Sequence, residues 1–288
     1  MQKIIRLETT APFQGLAELV AHDEGLFEKE GLRIEWIDRE KGVDKSPQLH
    51  ITSHKDAPRF ASHGSQLEQG KADLYNACEW GNYSRVEGTK VKSRQIGVPF
   101  FNGTHYLAIQ MLEGFVPRDM IKLGRVPNGS PYRFRMLMDG TIDATTLTEP
   151  YITLAEKKGC RPVIAAFHHG TEVASERIDA ETYSAFNRAV REAVRRINAN
   201  KSAYMHYFID YYKDKDPEIA SLKVSDLRES RVYLVDPAPI PKDELERTYE
   251  WMKSWDFLET ANCAGDLVDV DIQKDAHLRA SNEPAPMH

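Results

Sequence analysis

Three cysteines in 288 residues, Cys78, Cys160 and Cys263, are too few and too odd in number for a disulfide framework. No Cys-x-x-Cys spacing suits structural zinc. No apolar run approaches the roughly eighteen residues of a membrane helix, so no membrane insertion is expected. An excess of positive charge is missing too. With 38 basic residues against 44 acidic ones the net charge is -6, which lacks the basic stripe of a nucleic-acid binder, and no nucleic-acid partner is expected. The opening MQKIIRLETTAPFQG has neither the apolar stretch nor the small-residue cleavage site of a secretory signal. The chain is therefore expected to be cytoplasmic as it stands, or periplasmic if it is a mature form given a new Met.

What is present is an ordinary globular composition, 41% hydrophobic and 28% charged, in a length that suits two lobes sharing one chain. KIIRLET (3–9) is suited to a buried strand. LAELVAHDEGLFEKEGL places Leu16, Leu19, Val20 and Leu26 or Phe27 on one helical face, and LRIEWID (32–38) alternates as a second strand. Residues 39–63 read as loop with a short helix, and 72–77 as a strand. QIGVPFF (95–101), MIKLGRV, TIDATTL and RPVIAAF are further strand candidates. Helices are expected through Tyr106–Leu112, over PYRFRMLM up to Gly140, and over EPYITLAEKKG up to Gly159. From Glu181 long helices follow, with Tyr183, Phe186, Val190, Val194 and Ile197 at helical spacing, and later Leu245, Tyr249, Met252 and Trp255. That order predicts an α/β fold of parallel layers with a helical C-terminal part.

One element occurs twice. LEQGKADLYNACEW carries Leu67, Gly70, Asp73 and Glu79, and LMDGTIDATTLTEP carries Leu137, Gly140, Asp143 and Glu149 at the same spacing. Each reads as helix, glycine cap, Asp and a strand delivering Glu at its carboxyl end, where ligands of open parallel sheets lie. Two such edges facing each other would line one cleft; chance recurrence of common turn chemistry is the competing explanation.

EGLFEKEGLRIEWID, QLEQGKADL and DGTIDATTLTEPYITLAEKKG together resemble, in that order, the periplasmic-binding-protein-like family that binds thiamin precursors, taurine, aliphatic sulfonates and nitrate. The resemblance spans about residues 12–165. It implies a type 2, two-lobed α/β fold with a ligand cleft between the lobes. Lobe one would be discontinuous, 1–96 and 176–288, with its C-terminal helices packed back onto it, and lobe two would span 97–175. Where the family presents a Leu-x-Gly-Lys-x-Ile strand, this chain has SRQIGVPFFNGTHYLAIQMLE, so lobe two is expected to be trimmed.

NYSRVEGTKVKSRQIGVPFFNGTHYLAIQ is similar to a segment of the family's cofactor-free hydroxybiphenyl sulfinate desulfinase. The resemblance places a substrate-clamping arginine at Arg85, whose planar fork suits carboxylate, sulfonate or sulfinate oxygens. The desulfinase's cysteine after the first strand is absent from TTAPF. Thr9, Thr10 and the loop amides would instead hold an anion at the start of the following helix.

Further ligand-binding candidates are the aromatics Trp80, Tyr83, Phe100 and Tyr151, together with Asn102, Thr104, His105 and the paired carboxylate Glu149. Core packing competes for Phe100, and a helix cap competes for Glu149. Were the protein an enzyme, Cys78, Glu79 or His105 would supply the proton. His50 and His54 are one helical turn apart without a third ligand, so no metal is expected, and no cofactor. The leading expectation is binding of a small organic anion, as a solute-binding protein serving an ABC-transporter permease if exported. The rival is a cytoplasmic, cofactor-independent lyase of desulfinase or decarboxylase type, and a weaker third is an intracellular ligand sensor.

Overall fold

The computed structural model describes residues 2–39, 63–78, 103–121, 129–167, 170–258 and 263–267. Strand β1 (Lys3–Glu8) buries Ile5 and Leu7, and it pairs in parallel with β2 (Leu32–Ile37) from Lys3 opposite Leu32 to Glu8 opposite Ile37. The crossover between them is helical: α1 (Pro12–Asp23), then α2 (Leu26–Lys29). Proline at the first helical position fits α1, because its missing N–H would have no partner there. Gly25, at φ +66°, breaks the two helices apart at little steric cost.

A short helix α3 (Ser65–Glu68) leads into β3 (Leu74–Cys78), buried at every residue, which lies parallel to β1 on its other side. Strand β4 (Gly170–Ala174) then runs antiparallel to β3, with Asn76 opposite Glu172 and Cys78 opposite Gly170. The result is one mixed sheet in the order β2-β1-β3-β4.

Helix α4 (Gly103–Glu113) precedes α5 (Ser130–Met138) and α6 (Tyr151–Lys157). The long helix α7 (Ala180–Ala199) is capped by Asp179, whose carboxylate accepts from the Thr182 amide at 2.8 Å. It buries Phe186, Val190, Val194 and Ile197 as the spacing predicts, with Phe186 stacked on Phe27 of α2 at 5.1 Å. After it come α8 (Lys201–Tyr204), α9 (His206–Lys213), α10 (Pro217–Ala220) and α11 (Lys242–Ser254).

The structure departs from expectation in four places. TIDATTL forms no strand. Its backbone is satisfied by side chains of α5 instead: Arg133 Nε donates to the Thr146 carbonyl at 2.8 Å, and the Thr148 amide to Ser130 Oγ at 3.3 Å. RPVIAAF forms no strand either; residues 161–167 are exposed throughout, with no face to bury. Residues 170–174, not singled out as a strand, form β4 and pair with β3. Finally, the C-terminal helices divide their packing. Phe134 and Tyr151, from α5 and α6, share one core with the sheet, α7 and α9. Leu245, Tyr249 and Met252 of α11 instead cover Tyr106 and Ile109 of α4.

The repeated element is real at its helix ends. Gly70 and Gly140 sit at φ +71° and +74°. The bonds Gly70 N to Leu67 O and Ala72 N to Gln66 O recur as Gly140 N to Leu137 O and Ile142 N to Met136 O. The copies then part. Asp143 is exposed, whereas Asp73 is buried and accepts from the Arg6 amide, Arg6 Nε and Nη2, and Arg177 Nε. Burial alone would raise the Asp73 carboxyl, but these arginine bonds hold it below its usual range. Its folded pKa is thus lower than its unfolded one. The contribution is present above the unfolded pKa near 3.8 and lost as pH falls through the folded one.

Asp73→Asn should lower stability by about 2–3 kcal/mol at neutral pH, less than for a fully buried pair because both arginines are partly exposed. Chemical denaturation at pH 7 and at low pH would check this; a loss that did not shrink in acid would contradict the clamp.

Candidate functional site

The carboxyl ends of β1 and β3 meet beside the start of α1. Thr9 is anchored by its amide on the Ile37 carbonyl at 2.9 Å, and its Oγ1 accepts from the Arg39 amide at 3.2 Å. Thr10 is buried, its hydroxyl 3.5 Å from the Ala11 carbonyl. Ala11, the N-cap of α1, offers no side-chain cap. Pro12 has no N–H and the Gln14 and Gly15 amides bond the Ala11 carbonyl, so the first turn presents the Phe13 amide and the positive end of the helix. Gly15 makes this packing possible. A Cβ there would stand 2.1 Å from Thr10 Cγ2, and its own backbone leaves helical geometry at ψ 31°. Gly15→Ala should therefore displace Thr10 and cost about 2 kcal/mol or more. A denaturation midpoint unchanged from wild type would show that the loop yields freely.

Two residues that sequence reasoning did not single out build this corner. Glu8, buried at the end of β1, accepts from the amides of Gly64, Gln66 and Leu67 and so caps α3. Arg39, also buried, brings its Nη1 to 3.3 Å from His63 Nδ1. Glu8 carried a weak signal, an acidic residue closing an apolar strand. Arg39 had none, since it opens a stretch that reads as loop with a short helix.

One turn further along α1, Gln14 and Glu18 face β3 and β4. Asn76 Nδ2 donates to Glu18 Oε1 at 2.6 Å and to Glu172 Oε1 at 2.9 Å, and lies 3.5 Å from the Gln14 carbonyl. Tyr183 of α7 closes the group. No cation faces it among the described residues. Burial first, then the charge and hydrogen bond of Glu18, push the Glu172 carboxyl well above the usual range, against the opposing bond from Asn76. Burial, then Glu172, push the Tyr183 phenol up to about 12.

The sign follows from the proton count. With its folded pKa raised, Glu172 holds a proton in the folded state that the unfolded chain releases. Stability is therefore full below the unfolded value near 4.5 and falls as pH rises toward the folded one. Glu172→Gln should make melting temperature less sensitive to pH between about 5 and 8 and raise it at pH 8. A variant as pH-sensitive as wild type would remove Glu172 as the titrating group.

The expected site residues fare unequally. Thr9 and Thr10 form the loop after β1, and Cys78 is buried at the carboxyl end of β3. Glu149 is buried instead in a helix cap. It accepts from the Thr153 amide and hydroxyl and pairs with Arg231 at 2.8 Å, which also holds Glu156. Tyr151 is wholly buried against Phe134 and Tyr212, and its hydroxyl donates to Asp216 at 2.8 Å. The helix cap weighed from the sequence for Glu149 is what the structure shows, and Tyr151 lies in the core. Glu79, Trp80, Tyr83, Arg85, Phe100 and Asn102 lie outside the described residues, as do His50 and His54. For Thr104 and His105 only the helical backbone of α4 is described.

Solved structures share this architecture. A protein from Bordetella bronchiseptica RB50 superposes with a TM-score of 0.62 at 14% identity, over 98% of this chain and 99% of its own. The alkanesulfonate-binding protein SsuA from Xanthomonas axonopodis pv. citri, bound to MOPS, superposes with a TM-score of 0.59 at 12% identity, over 93% and 97%. The fold is that of a periplasmic binding protein. No protein-family model and no curated protein sequence matches the chain. The likeness to the binding-protein fold runs nearly the whole length and includes the mixed sheet; neither matched structure is named as a desulfinase.

Proposed function

We propose that the protein binds a small organic anion, of the sulfonate or aromatic-carboxylate class, at the carboxyl edge of β1 and β3. The observation that carries this reading is the packing of the Thr9–Thr10 loop against the positive end of α1, which the missing side chain of Gly15 allows. Amides at a helix start attract anions through their free donors and the helix dipole. The full-length likeness of the fold to an alkanesulfonate-binding protein supports the same class. As a solute-binding protein it would pass its ligand to an ABC-transporter permease. Arg85 would add the planar fork, and Thr104 and His105 a second set of contacts.

Titration calorimetry with a panel of alkanesulfonates, aromatic sulfonates, sulfinates and carboxylates is expected to give saturable binding of at least one. Mass spectrometry of the recovered ligand is expected to show it unchanged, whereas a desulfinated or decarboxylated product would replace the binder by the lyase. Thr10→Val should weaken binding several-fold through the lost hydroxyl. Absence of saturable binding across the panel would remove the proposal.

A further inference from the structure

Among the described residues one arginine stands apart. Arg133, in the first turn of α5, is only 4% exposed, yet no carboxylate lies in salt-bridge range of it. The less buried Arg188, Arg196 and Arg231 each meet a glutamate. Arg133 has two hydrogen bonds: Nε to the Thr146 carbonyl at 2.8 Å and Nη2 to Ser130 Oγ at a long 3.5 Å. Nη1 has no hydrogen bond among the described residues. Burial draws the guanidinium down to about 10, opposed by Tyr212, so it still carries its charge at neutral pH.

An unpaired cation in such surroundings is costly unless something supplies the opposite charge. The groups beside it suit an oxyanion. Ser130 is the first residue of α5, at the positive end of the helix, and its hydroxyl lies 3.0 Å from Thr148 Oγ1. Thr146, Leu147 and Thr148 are half-buried, which gives the group its route to the surface. A guanidinium edge with the one hydroxyl of this pair that remains free to donate presents several donors, which suits two oxygens of a carboxylate, sulfonate or sulfate.

We propose that Arg133, with Ser130 and Thr148, forms a binding site for an oxyanion that provides the counter-charge not found among the described residues. Every residue of this site lies on α5 and the segment after it, so it stands independently of the loop at Thr9 and Thr10.

Inorganic sulfate is the probe. Titration calorimetry of the full chain with sodium sulfate, in chloride buffer of matched ionic strength, is expected to show saturable binding. Arg133→Met should weaken it at least ten-fold, and Arg133→Lys should weaken it too, since an ammonium keeps the charge but loses the fork. Circular dichroism would confirm that both variants fold. Crystals of the wild-type protein soaked in selenate give a reading that needs no variant. An anomalous peak within hydrogen-bond distance of Arg133 Nη1 is expected. No saturable sulfate binding, equal binding by a folded Arg133→Met, or no selenate peak at Arg133 would overturn the proposal.

Discussion

The Asp73 carboxylate is the point on which the sheet depends. It takes hydrogen bonds from Arg6 in β1 and from Arg177 just after β4, while its own residue introduces β3 between them. Backbone bonds tighten the same junction, from the Asp73 amide to the Arg6 carbonyl and from the Ser175 amide to the Asp73 carbonyl. Strand β3 is buried on both faces and has no solvent with which to pair its ends. A carboxylate meeting two guanidinium groups fixes which strands flank it and in what register. The edge carrying Thr9, Thr10 and Cys78 follows from that junction.

Polar groups beneath this edge are arranged in two opposite ways. Asp73, Glu149 and Glu8 are buried with donors converging on them, so burial is offset locally. Glu18 and Glu172 share one amide, Asn76, and no cation among the described residues. Arg133 is the reverse case, a buried cation with no carboxylate in reach among the described residues. Satisfied groups hold the fold, and the unsatisfied ones make parts of it respond to protons or to an anion.

Much of the architecture was legible in the chain. The helical stripe Phe186, Val190, Val194 and Ile197, and the glycines ending α5 and α6, are local patterns set by backbone periodicity and left-handed caps. The twin turn at Gly70 and Gly140 was visible for the same reason. Its continuation was not, because Asp143 differs from Asp73 only in what surrounds it. TIDATTL carries a strand-like composition, yet α5 satisfies its backbone through Arg133 and Ser130. Of the expected site residues, Thr9 and Thr10 were readable as a loop between strand and helix and Glu149 as a helix cap, whereas the partners Arg231 and Asp216 that hold Glu149 and Tyr151 were not.

The sequence by itself determined the first two strands and most helices, which helical faces are apolar, and where glycine permits a turn. Those properties depend on neighbours a few positions away. The tertiary structure alone decided that β4 closes the sheet, that α11 covers α4, which carboxylates meet arginines, and that the buried Arg133 meets none among the described residues. Such partners lie up to a hundred or more positions apart, as Arg177 does from Asp73, and only the packed chain brings their charges within a few ångströms.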